Sequence, residues 1–422
     1  MSMVAVLFLA FFVMLIIGVP IVAALGVASI IAVVTGSSWP LLLLPQKLFN
    51  GINSFPFMAI PLFLLAGNIM AEAKISDKLV ALANLMVGRY PGGLAQVSTG
   101  ASAFFGAISG SAPATTAAIG SILIPSMKER GYRGDFSAAV VAASGALGLI
   151  IPPSLTMVVY GVLSGASIGA LFLCGIVPGL LISLALCSIN YWNARKMGLK
   201  AEAPVARELR MQIVKDSTLA LFMPVIIMGG IYCGVFTATE SAAVACLYGL
   251  VIGFFVYRTL TLKSLFNILK STAENAALIM FLMGTANFFG FIITAERLPQ
   301  TLAEMIIAYT DNKVLVMFIV LVMLLVLGTF LDNVTALILF VPTMMGVVNA
   351  LQIDIIFFGM FTVIALAVGQ FTPPVGLNLF IASNISQVKF ESVAVQIVPY
   401  LLSYAVMLVL FILCPWLLTV FA

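Results

Sequence analysis

The sequence predicts an all-α polytopic membrane protein built as an inverted repeat, with about five spanning helices and a re-entrant hairpin in each half. Its composition is the first reason. Hydrophobic residues make up 63% of the 422 positions and charged residues 8%, whereas a soluble chain carries about 25% charged residues. The second reason is that apolar runs of spanning length alternate with short polar breaks. The third is a set of ordered matches between the two halves.

The composition also excludes several classes of function. The net charge of +4 is small and spread over several loops, which argues against nucleic-acid binding. There is no histidine, the commonest metal ligand and neutral-pH proton shuttle. The five cysteines lie in apolar runs without metal-site spacing, as buried packing residues do. The N-terminus, MSMVAVLFLAFFVMLIIGVP, has neither a basic region nor a small-residue cleavage site, so it predicts a first transmembrane helix.

A polar loop, 193–216, divides the predicted order of segments. The first repeat, 1–192, has scaffold helices at 1–50 and a hairpin with a broken helix at 51–160. Its hairpin candidate, Asn50–Met70, is interrupted by prolines, and the sequence leaves open whether Ile75–Arg89 crosses the membrane. The second repeat, 217–422, has scaffold helices at 217–272 and a hairpin with a broken helix at 273–385. Its hairpin candidate is Asn275–Thr294.

The repeat is visible as residue matches at two offsets. The offset is 217 (342 − 125) up to Pro342 and 221 (374 − 153) after it, which predicts a four-residue insertion between Pro342 and Pro373. The matched pairs are Leu48-Phe49-Asn50 with Leu265-Phe266-Asn267, Gly67 with Gly284, Pro125 with Pro342, Pro153 with Pro374, and Pro178 with Pro399.

Cations set the predicted orientation of the halves. The loop 193–216 holds six cations against three acids, while the turn Thr237–Glu240 holds none. Cytoplasmic loops are enriched in Lys and Arg, so we expect the basic loop 193–216 to be cytoplasmic, together with Lys128–Asp135. Five spans per half then orient the repeats oppositely, as in many secondary transporters. This parity requires that Ile75–Arg89 does not cross.

The stretch Phe105–Pro125, FGAISGSAPATTAAIGSILIP, places polar residues and helix breakers deep in apolar sequence. Because hydrocarbon cannot hydrogen-bond to freed backbone groups, such a break normally lines a protein-bound cavity. Its carbonyls and hydroxyls suit Na⁺, and half-helix N-termini suit an anionic substrate. A Gly/Ser seam for close helix packing is the alternative. The polar and helix-breaking residues are Ser109, Gly110, Ser111, Pro113, Thr115 and Thr116.

A second break, Gly328–Asn333, lies at the corresponding register, with Thr115 matched to Asp332 and Thr116 to Asn333. An ionisable residue at membrane depth is a functional hypothesis by default. Two roles remain open for Asp332, ligation of a cation and capping of the following half-helix.

Two Pro-Pro segments, IIPPSLTMVVYG and FTPPVGLNLF, also break helices and free carbonyls upstream. A simple kink is the alternative interpretation. Together with polar residues of the hairpins, these segments form a set that we expect to converge on two pseudo-symmetric sites. No nucleophile–base pair is evident, so the chain is not expected to be an enzyme. An ion-translocating subunit of an energy-converting complex is the main rival, although such subunits usually carry intramembrane charged relays.

The segments GAISGSAPATTAAIGSILIPSMKERGY, GALGLIIPPSLTMVVYG, GQFTPPVGLNLF and IPLFLLAGNIM resemble the large membrane subunit (M subunit, DctM-like) of TRAP transporters, the tripartite ATP-independent periplasmic transporters. The similarity extends along essentially the whole chain. It implies an elevator-type, Na⁺-coupled secondary transporter of the ion-transporter superfamily, in the bacterial inner membrane. The hairpins and broken helices would form its transport domain and the other helices its scaffold.

The resemblance also implies partners and site residues. The partners are a separate small four-helix membrane subunit and a periplasmic binding protein that delivers an organic anion, such as a C4-dicarboxylate or a sialic acid. The sodium candidates, for two or more ions, are Asn68, Ser109, Gly110, Ser111, Thr115, Gly328, Thr329, Asp332 and Asn333. The substrate candidates are Pro153, Ser154, Thr156, Thr285, Asn287, Thr372, Pro374 and Asn378. No arginine is identifiable as a carboxylate ligand, so half-helix dipoles are expected to attract the anion.

Overall fold

The computed structural model describes residues 2–36, 39–40, 42–199, 201, 206–310 and 312–422, except for the side chains at 207 and 307. All regular secondary structure in these ranges is helical. Seven of the described helices are long and apolar enough to cross a membrane, and two bent helix pairs raise the number to nine. The predicted all-α polytopic class is confirmed.

The first repeat begins with two apolar helices on either side of Pro20, within the range 1–50 where scaffold helices are predicted, and an amphipathic helix follows them. The helices are α1 (Met3–Ile16), α2 (Ile21–Gly36), α3 (Leu43–Ile52), α4 (Ala59–Glu72), α5 (Ile75–Val87), α6 (Gly93–Ser109), α7 (Ala112–Glu129), α8 (Gly134–Gly145), α9 (Leu147–Ile150), α10 (Leu155–Ser164) and α11 (Ile168–Lys196).

The second repeat has the same order with three differences: one long helix replaces the pair α3 and α4, one helix replaces the pair α8 and α9, and two helices replace α11. Its helices are α12 (Arg207–Tyr232), α13 (Ala238–Val251), α14 (Leu262–Ala295), α15 (Leu298–Tyr309), α16 (Lys313–Phe330), α17 (Asn333–Ala350), α18 (Ile355–Gly369), α19 (Leu377–Ser386), α20 (Phe390–Gln396) and α21 (Val398–Leu413).

The hairpins lie later in each repeat than the sequence predicted. Asn275–Thr294 is not a hairpin, because it belongs to the uninterrupted helix α14. In the first repeat α4 and α5 meet at Lys74, and in the second α14 and α15 meet at Arg297. Both of these residues have left-handed backbone conformations, with φ of 53° and 58°. Since neither turn contains glycine, the local sequence gave little sign of it.

The connecting loop is shorter than the predicted 193–216. Helix α11 continues to Lys196 and α12 begins at Arg207. The charged residues at both ends of the predicted loop are good helix formers and extend the two helices. The central part of that prediction, residues 200 and 202–205, lies outside the described residues.

The helix caps show which positions of the two repeats correspond, and the correspondence differs from the predicted one. Ser111 caps α7 and Asp332 caps α17, and these residues are 221 positions apart (332 − 111). The predicted matches of Thr115 with Asp332 and of Thr116 with Asn333 are therefore wrong by four residues, about one helical turn. The offset of 221 is already established at the helix break, so the match of Pro125 with Pro342 does not mark equivalent positions.

Candidate functional site

The first broken helix separates at Gly110, as predicted. Helix α6 ends at Ser109, Gly110 has a φ of +60°, and the hydroxyl of Ser111 accepts a hydrogen bond from the Ala114 amide at 3.4 Å. A Cβ on Gly110 would lie 2.9 Å from the carbonyl oxygen of Pro153. Glycine is thus required here both by the left-handed backbone and by the close approach of the Pro-Pro segment.

The second broken helix separates between Phe330 and Asn333. Asp332 caps α17 through its carboxylate, which accepts a hydrogen bond from the Val334 amide at 3.2 Å. The capping role that the sequence left open is therefore present. Asp332 also lines the cavity between the two breaks, so its carboxylate can meet a ligand there.

Both breaks open onto one cavity of about 750 Å³, a volume typical of small-molecule sites. The first break contributes Ser109, Gly110 and Ser111, and the second contributes Asp332 and Asn333. Helix α4 adds Gly67 and Asn68, and helix α14 adds Asn275, Leu278, Ile279 and Leu282. The two repeats therefore build a common site.

Five helix N-termini reach this cavity. First-turn residues of α2, α7, α10, α17 and α19 line it, namely Ile21 and Val22, Pro113 and Ala114, Leu155 and Thr156, Asn333 to Thr335, and Leu377. Each N-terminus carries the positive end of a helix dipole, which favours an anion. Among the described residues that line the cavity, none is a lysine or an arginine. The dipoles are thus the main source of positive potential, and Asp332 offsets the dipole of α17.

Hydroxyl and carbonyl oxygens cluster at the first break. The hydroxyls of Ser109 and Thr115 are 2.9 Å apart, and the Thr115 hydroxyl donates to the Ser111 carbonyl at 2.7 Å. Thr115 is fully buried and does not line the cavity. The Ser109 hydroxyl therefore lies at the cavity wall. Thr115 instead stabilises the unwound backbone from inside the protein, through its bond to the Ser111 carbonyl.

Amide side chains cluster at the second break. The Nε2 of Gln370 donates to Oδ1 of Asn333 at 3.0 Å, while Oε1 of Gln370 has no partner among the described residues. The backbone of Asn378 lies close by, since its backbone N–H donates to the Gln370 carbonyl at 2.8 Å, and the side-chain Oδ1 of Asn378 is likewise buried and unpaired. Unpaired buried acceptors are rare. The Gln370 oxygen belongs to a side chain that binds Asn333 at the second break, so it could ligate a hard cation such as Na⁺ there.

The described residues contain no cluster of three or more His, Cys, Asp or Glu side chains that could hold a metal ion. The oxygens at the two breaks are hydroxyls, amides and carbonyls, with one carboxylate. Oxygen ligands of this kind suit hard cations and not the soft metals that thiolates select.

The cavity collects seven of the predicted site residues, Asn68, Ser109, Gly110, Ser111, Thr156, Asp332 and Asn333. Other predicted site residues lie behind those that line the cavity. Pro153 contacts Gly110, and Ser154 is buried with an unpaired hydroxyl.

Gly328 packs so closely on Gly369 that a Cβ on Gly369 would lie 2.3 Å from the Gly328 backbone. Thr329 donates to the Val326 carbonyl of its own helix, and Thr372 donates to the Val368 carbonyl in the last turn of α18, both at 2.7 Å. Pro374 is exposed away from the cavity.

Thr285 and Asn287 point away from the cavity, so the structure does not support their assignment to the substrate site. The Thr285 hydroxyl bonds to carbonyls of α14 and its methyl group lies against Gly26 of α2. Asn287 packs against Gly51 of α3. Because α14 is continuous, Asn275 faces the cavity whereas positions 285 and 287 are rotated from it by about 80° and 120°.

Three polar residues at or near the cavity were not predicted: Asn275, Thr335 and Gln370. Asn275 is the first residue of the predicted hairpin, so the sequence indicated its region but not its contact with the cavity. Gln370 immediately precedes a Pro-Pro segment, but its role depends on the pairing with Asn333, which no local pattern indicates.

Comparison with known proteins agrees with this architecture. Residues 8–417 match the family model described as the tripartite ATP-independent periplasmic transporter, DctM component. The isethionate TRAP transporter permease protein DctMQ of Oleidesulfovibrio alaskensis is 44% identical over 96% of this chain, which spans 64% of that relative's length. The sialic acid TRAP transporter large permease protein SiaM of Vibrio cholerae is 37% identical, with 88% of this chain and 87% of the relative covered.

A further relative is the C4-dicarboxylate TRAP transporter large permease protein DctM of Rhodobacter capsulatus, 36% identical over 93% of this chain and 92% of its own. Among solved structures, the YdaH transporter of Alcanivorax borkumensis shares the fold with a TM-score of 0.65 at 17% identity, covering 91% of this chain and 92% of that one. The relatives are permease subunits and not enzymes, and the chain is a multi-pass inner-membrane protein. It belongs to the family of DctM components, the large permease subunits of tripartite ATP-independent periplasmic transporters.

Proposed function

We propose that this chain imports an organic anion by Na⁺-coupled alternating access. The observation that carries the proposal is the cavity between the two helix breaks, which five helix N-termini reach and polar oxygens line. An anion is favoured by the dipoles in a wall without cationic side chains. The surrounding hydroxyl, amide and carbonyl oxygens favour a small hard cation as its companion.

Two or more sodium ions would occupy the breaks. At the first break the candidate ligands are the Ser109 hydroxyl and the backbone carbonyls of the unwound turn, which meet at the cavity wall. At the second they are Asp332 and the unpaired oxygens of Gln370 and Asn378. Bound sodium would offset the charge of Asp332 and thereby strengthen the attraction of the cavity for an anion.

An elevator movement is supported by bonds that join the breaks of both repeats into one body. Asn378 of α19 donates to the Ala142 carbonyl of α8 at 3.2 Å, and Lys128 of α7 donates to the Ser386 carbonyl of α19 at 3.1 Å. The hydroxyl of Tyr160 in α10 donates to the Ile355 carbonyl of α18 at 2.7 Å. We infer that these helices move together as the transport domain against a scaffold that includes α1, α2, α12 and α13.

The partners proposed for this chain are a separate small four-helix membrane subunit and a periplasmic binding protein. The named substrates of its relatives are isethionate, sialic acid and C4-dicarboxylates. All three are organic acids, and we propose a substrate of this class. We expect the binding protein to set much of the selectivity.

The test is uptake into proteoliposomes that contain this chain and its small subunit, with the binding protein outside. Isethionate, N-acetylneuraminate and succinate are supplied in turn under an inward Na⁺ gradient, with K⁺ as the control. We expect uptake of one of them to require both Na⁺ and the binding protein. Ser111→Ala and Asp332→Ala should each lower the sodium-driven rate. Uptake that proceeds equally in K⁺, or unchanged sodium dependence in both variants, would contradict the proposal.

A further inference from the structure

A second cavity lies on the opposite side of the second helix break. It has a volume of about 430 Å³ and separates α1 from the broken helix α16–α17. We call it the α1 crevice. Its walls are formed by Phe8, Phe11, Phe12 and Leu15 of α1, by Met323, Val326, Leu327, Phe330 and Leu331 at the end of α16, and by Leu339, Phe340, Thr343 and Met344 of α17.

Among the described residues that line the α1 crevice, none offers a free hydrogen-bonding side chain. Its one polar side chain is Thr343, whose hydroxyl donates to the Leu339 carbonyl of its own helix at 2.8 Å. The remaining walls are hydrocarbon, aromatic rings and methionine. A polar ligand or a column of water would find no partners in it, so only an apolar occupant fits.

The mouth of the α1 crevice opens to the bilayer. Phe12 and Phe330 stand at its edges with 53% and 63% of their surfaces exposed. Neighbouring residues of the same helices, Leu9 and Val322, are equally exposed and apolar. In an inner-membrane protein such a belt faces lipid, so the crevice is continuous with the lipid-facing surface.

Its size distinguishes between two apolar occupants. A helix with its side chains is about 10–12 Å across and rises 5.4 Å per turn, so a single turn fills on the order of 420–610 Å³. The crevice, at about 430 Å³, therefore has no room for a partner helix inside it, although such a helix could lie across its mouth. A flexible acyl chain enters from the bilayer without any such requirement.

We propose that the α1 crevice is a binding site for one phospholipid acyl chain. The chain packs against the rings of α1 on one side and against Leu331 and Phe330 on the other. Leu331 directly precedes Asp332, which lines the central cavity. The lipid thus supports the second break from behind and fills the space between α1 and the broken helix.

The test is native mass spectrometry of the full chain in complex with its small subunit, purified in mild detergent and incubated with phosphatidylethanolamine, phosphatidylglycerol or phosphatidylcholine of equal chain length. Leu15→Trp fills the crevice from α1, and Thr343→Phe fills it from α17. Leu9→Trp adds the same bulk as Leu15→Trp to a lipid-facing position of α1 outside the crevice.

We expect the unmodified complex to retain one phospholipid whose occupancy is similar for the three headgroups, because the site recognises the chain. Either filling variant should lower that occupancy at least about tenfold, while Leu9→Trp leaves it unchanged. Equal retention in both filling variants and the control would overturn the proposal. So would a lipid that is retained by the isolated chain and lost when the small subunit binds, since the subunit would then cover the crevice.

Discussion

The hydroxyl of Tyr400 donates a 2.7 Å hydrogen bond to Oδ1 of Asn190, and both side chains are fully buried. The amide of Asn190 in turn donates to the Ala95 carbonyl and to the Thr99 hydroxyl, each at 3.0 Å. The Thr99 hydroxyl lies 2.9 Å from that of Ser144. This chain of bonds joins α6, α8, α11 and α21, which belong to both repeats.

The Asn190 network predicts a strong effect on stability. Asn190→Ala removes the acceptor of the Tyr400 hydroxyl and both donors to α6, so we expect it to lower the free energy of unfolding by about 1–3 kcal/mol. Tyr400→Phe removes one hydrogen bond and should cost less. Thermal unfolding of the purified protein in detergent would measure both, and the double variant should be less destabilised than the sum of the two because the residues are coupled. Additive effects would contradict the network.

Close helix crossing at Gly369 leads to a second prediction. A Cβ there would lie 2.3 Å from the carbonyl carbon of Gly328, a backbone atom that cannot move aside alone. Gly369→Ala should therefore force α16 and α18 apart, with a cost of about 1–3 kcal/mol and a loss of transport. Gly290→Ala is the matched control, since its Cβ would meet only Pro342 at 4.0 Å. If both variants unfold and transport like the parent protein, the crossing is not as close as described.

The sequence predicted the helix breaks well because each has a local cause. Gly110 supplies the left-handed residue, Ser111 and Asp332 supply caps, and the Pro-Pro segments remove backbone donors. The turns of the hairpins could not be located in the same way. They occur at Lys74 and Arg297, whose left-handed conformations are imposed by the packing of the flanking helices and not by residue type.

Which side chains face the site depends on how each helix is rotated about its axis. The sequence alone does not determine that rotation. Thr285 and Asn287 were placed at the site on the assumption of a hairpin within Asn275–Thr294, whereas a continuous α14 turns them towards α2 and α3. Gln370 was missed because its partner, Asn333, lies 37 positions away. Pairings of this kind follow from tertiary structure alone.

The phase of α14 leads to a third prediction. Asn275 lines the cavity, whereas the Thr285 hydroxyl is already bonded within its helix. Asn275→Ala should raise the KM for substrate or sodium about fivefold, equivalent to a hydrogen bond of about 1 kcal/mol. Thr285→Val, which keeps the shape, should leave both KM values within about twofold. Initial rates of uptake in proteoliposomes would separate the two, and the opposite ranking would show that α14 presents its other face.

Gln370 allows a fourth prediction about the second break. Gln370→Leu removes the donor to Asn333 and the unpaired Oε1 together, whereas Gln370→Glu keeps an oxygen there and loses the amide donor. If Oε1 ligates sodium, Gln370→Leu should raise the KM for Na⁺ about tenfold or more, because an oxygen ligand worth about 1.4 kcal/mol is lost. Gln370→Glu should retain more sodium affinity than Gln370→Leu. Equal sodium affinity in the parent protein and in both variants would mean that Gln370 holds Asn333 in place and does not ligate sodium.

Asp332 combines capping with a cavity-facing charge, and two substitutions separate these roles. Asparagine caps helices as well as aspartate does, so Asp332→Asn should unfold like the parent protein, whereas Asp332→Ala should lose about 1 kcal/mol of stability. Both variants lack the charge, so both should raise the KM for Na⁺ about tenfold or more. Sodium titrations of uptake, together with thermal unfolding, would measure the two effects. Parent-like sodium affinity in Asp332→Asn would mean that the carboxylate serves α17 alone, and that the sodium ions are held by neutral oxygens at both breaks.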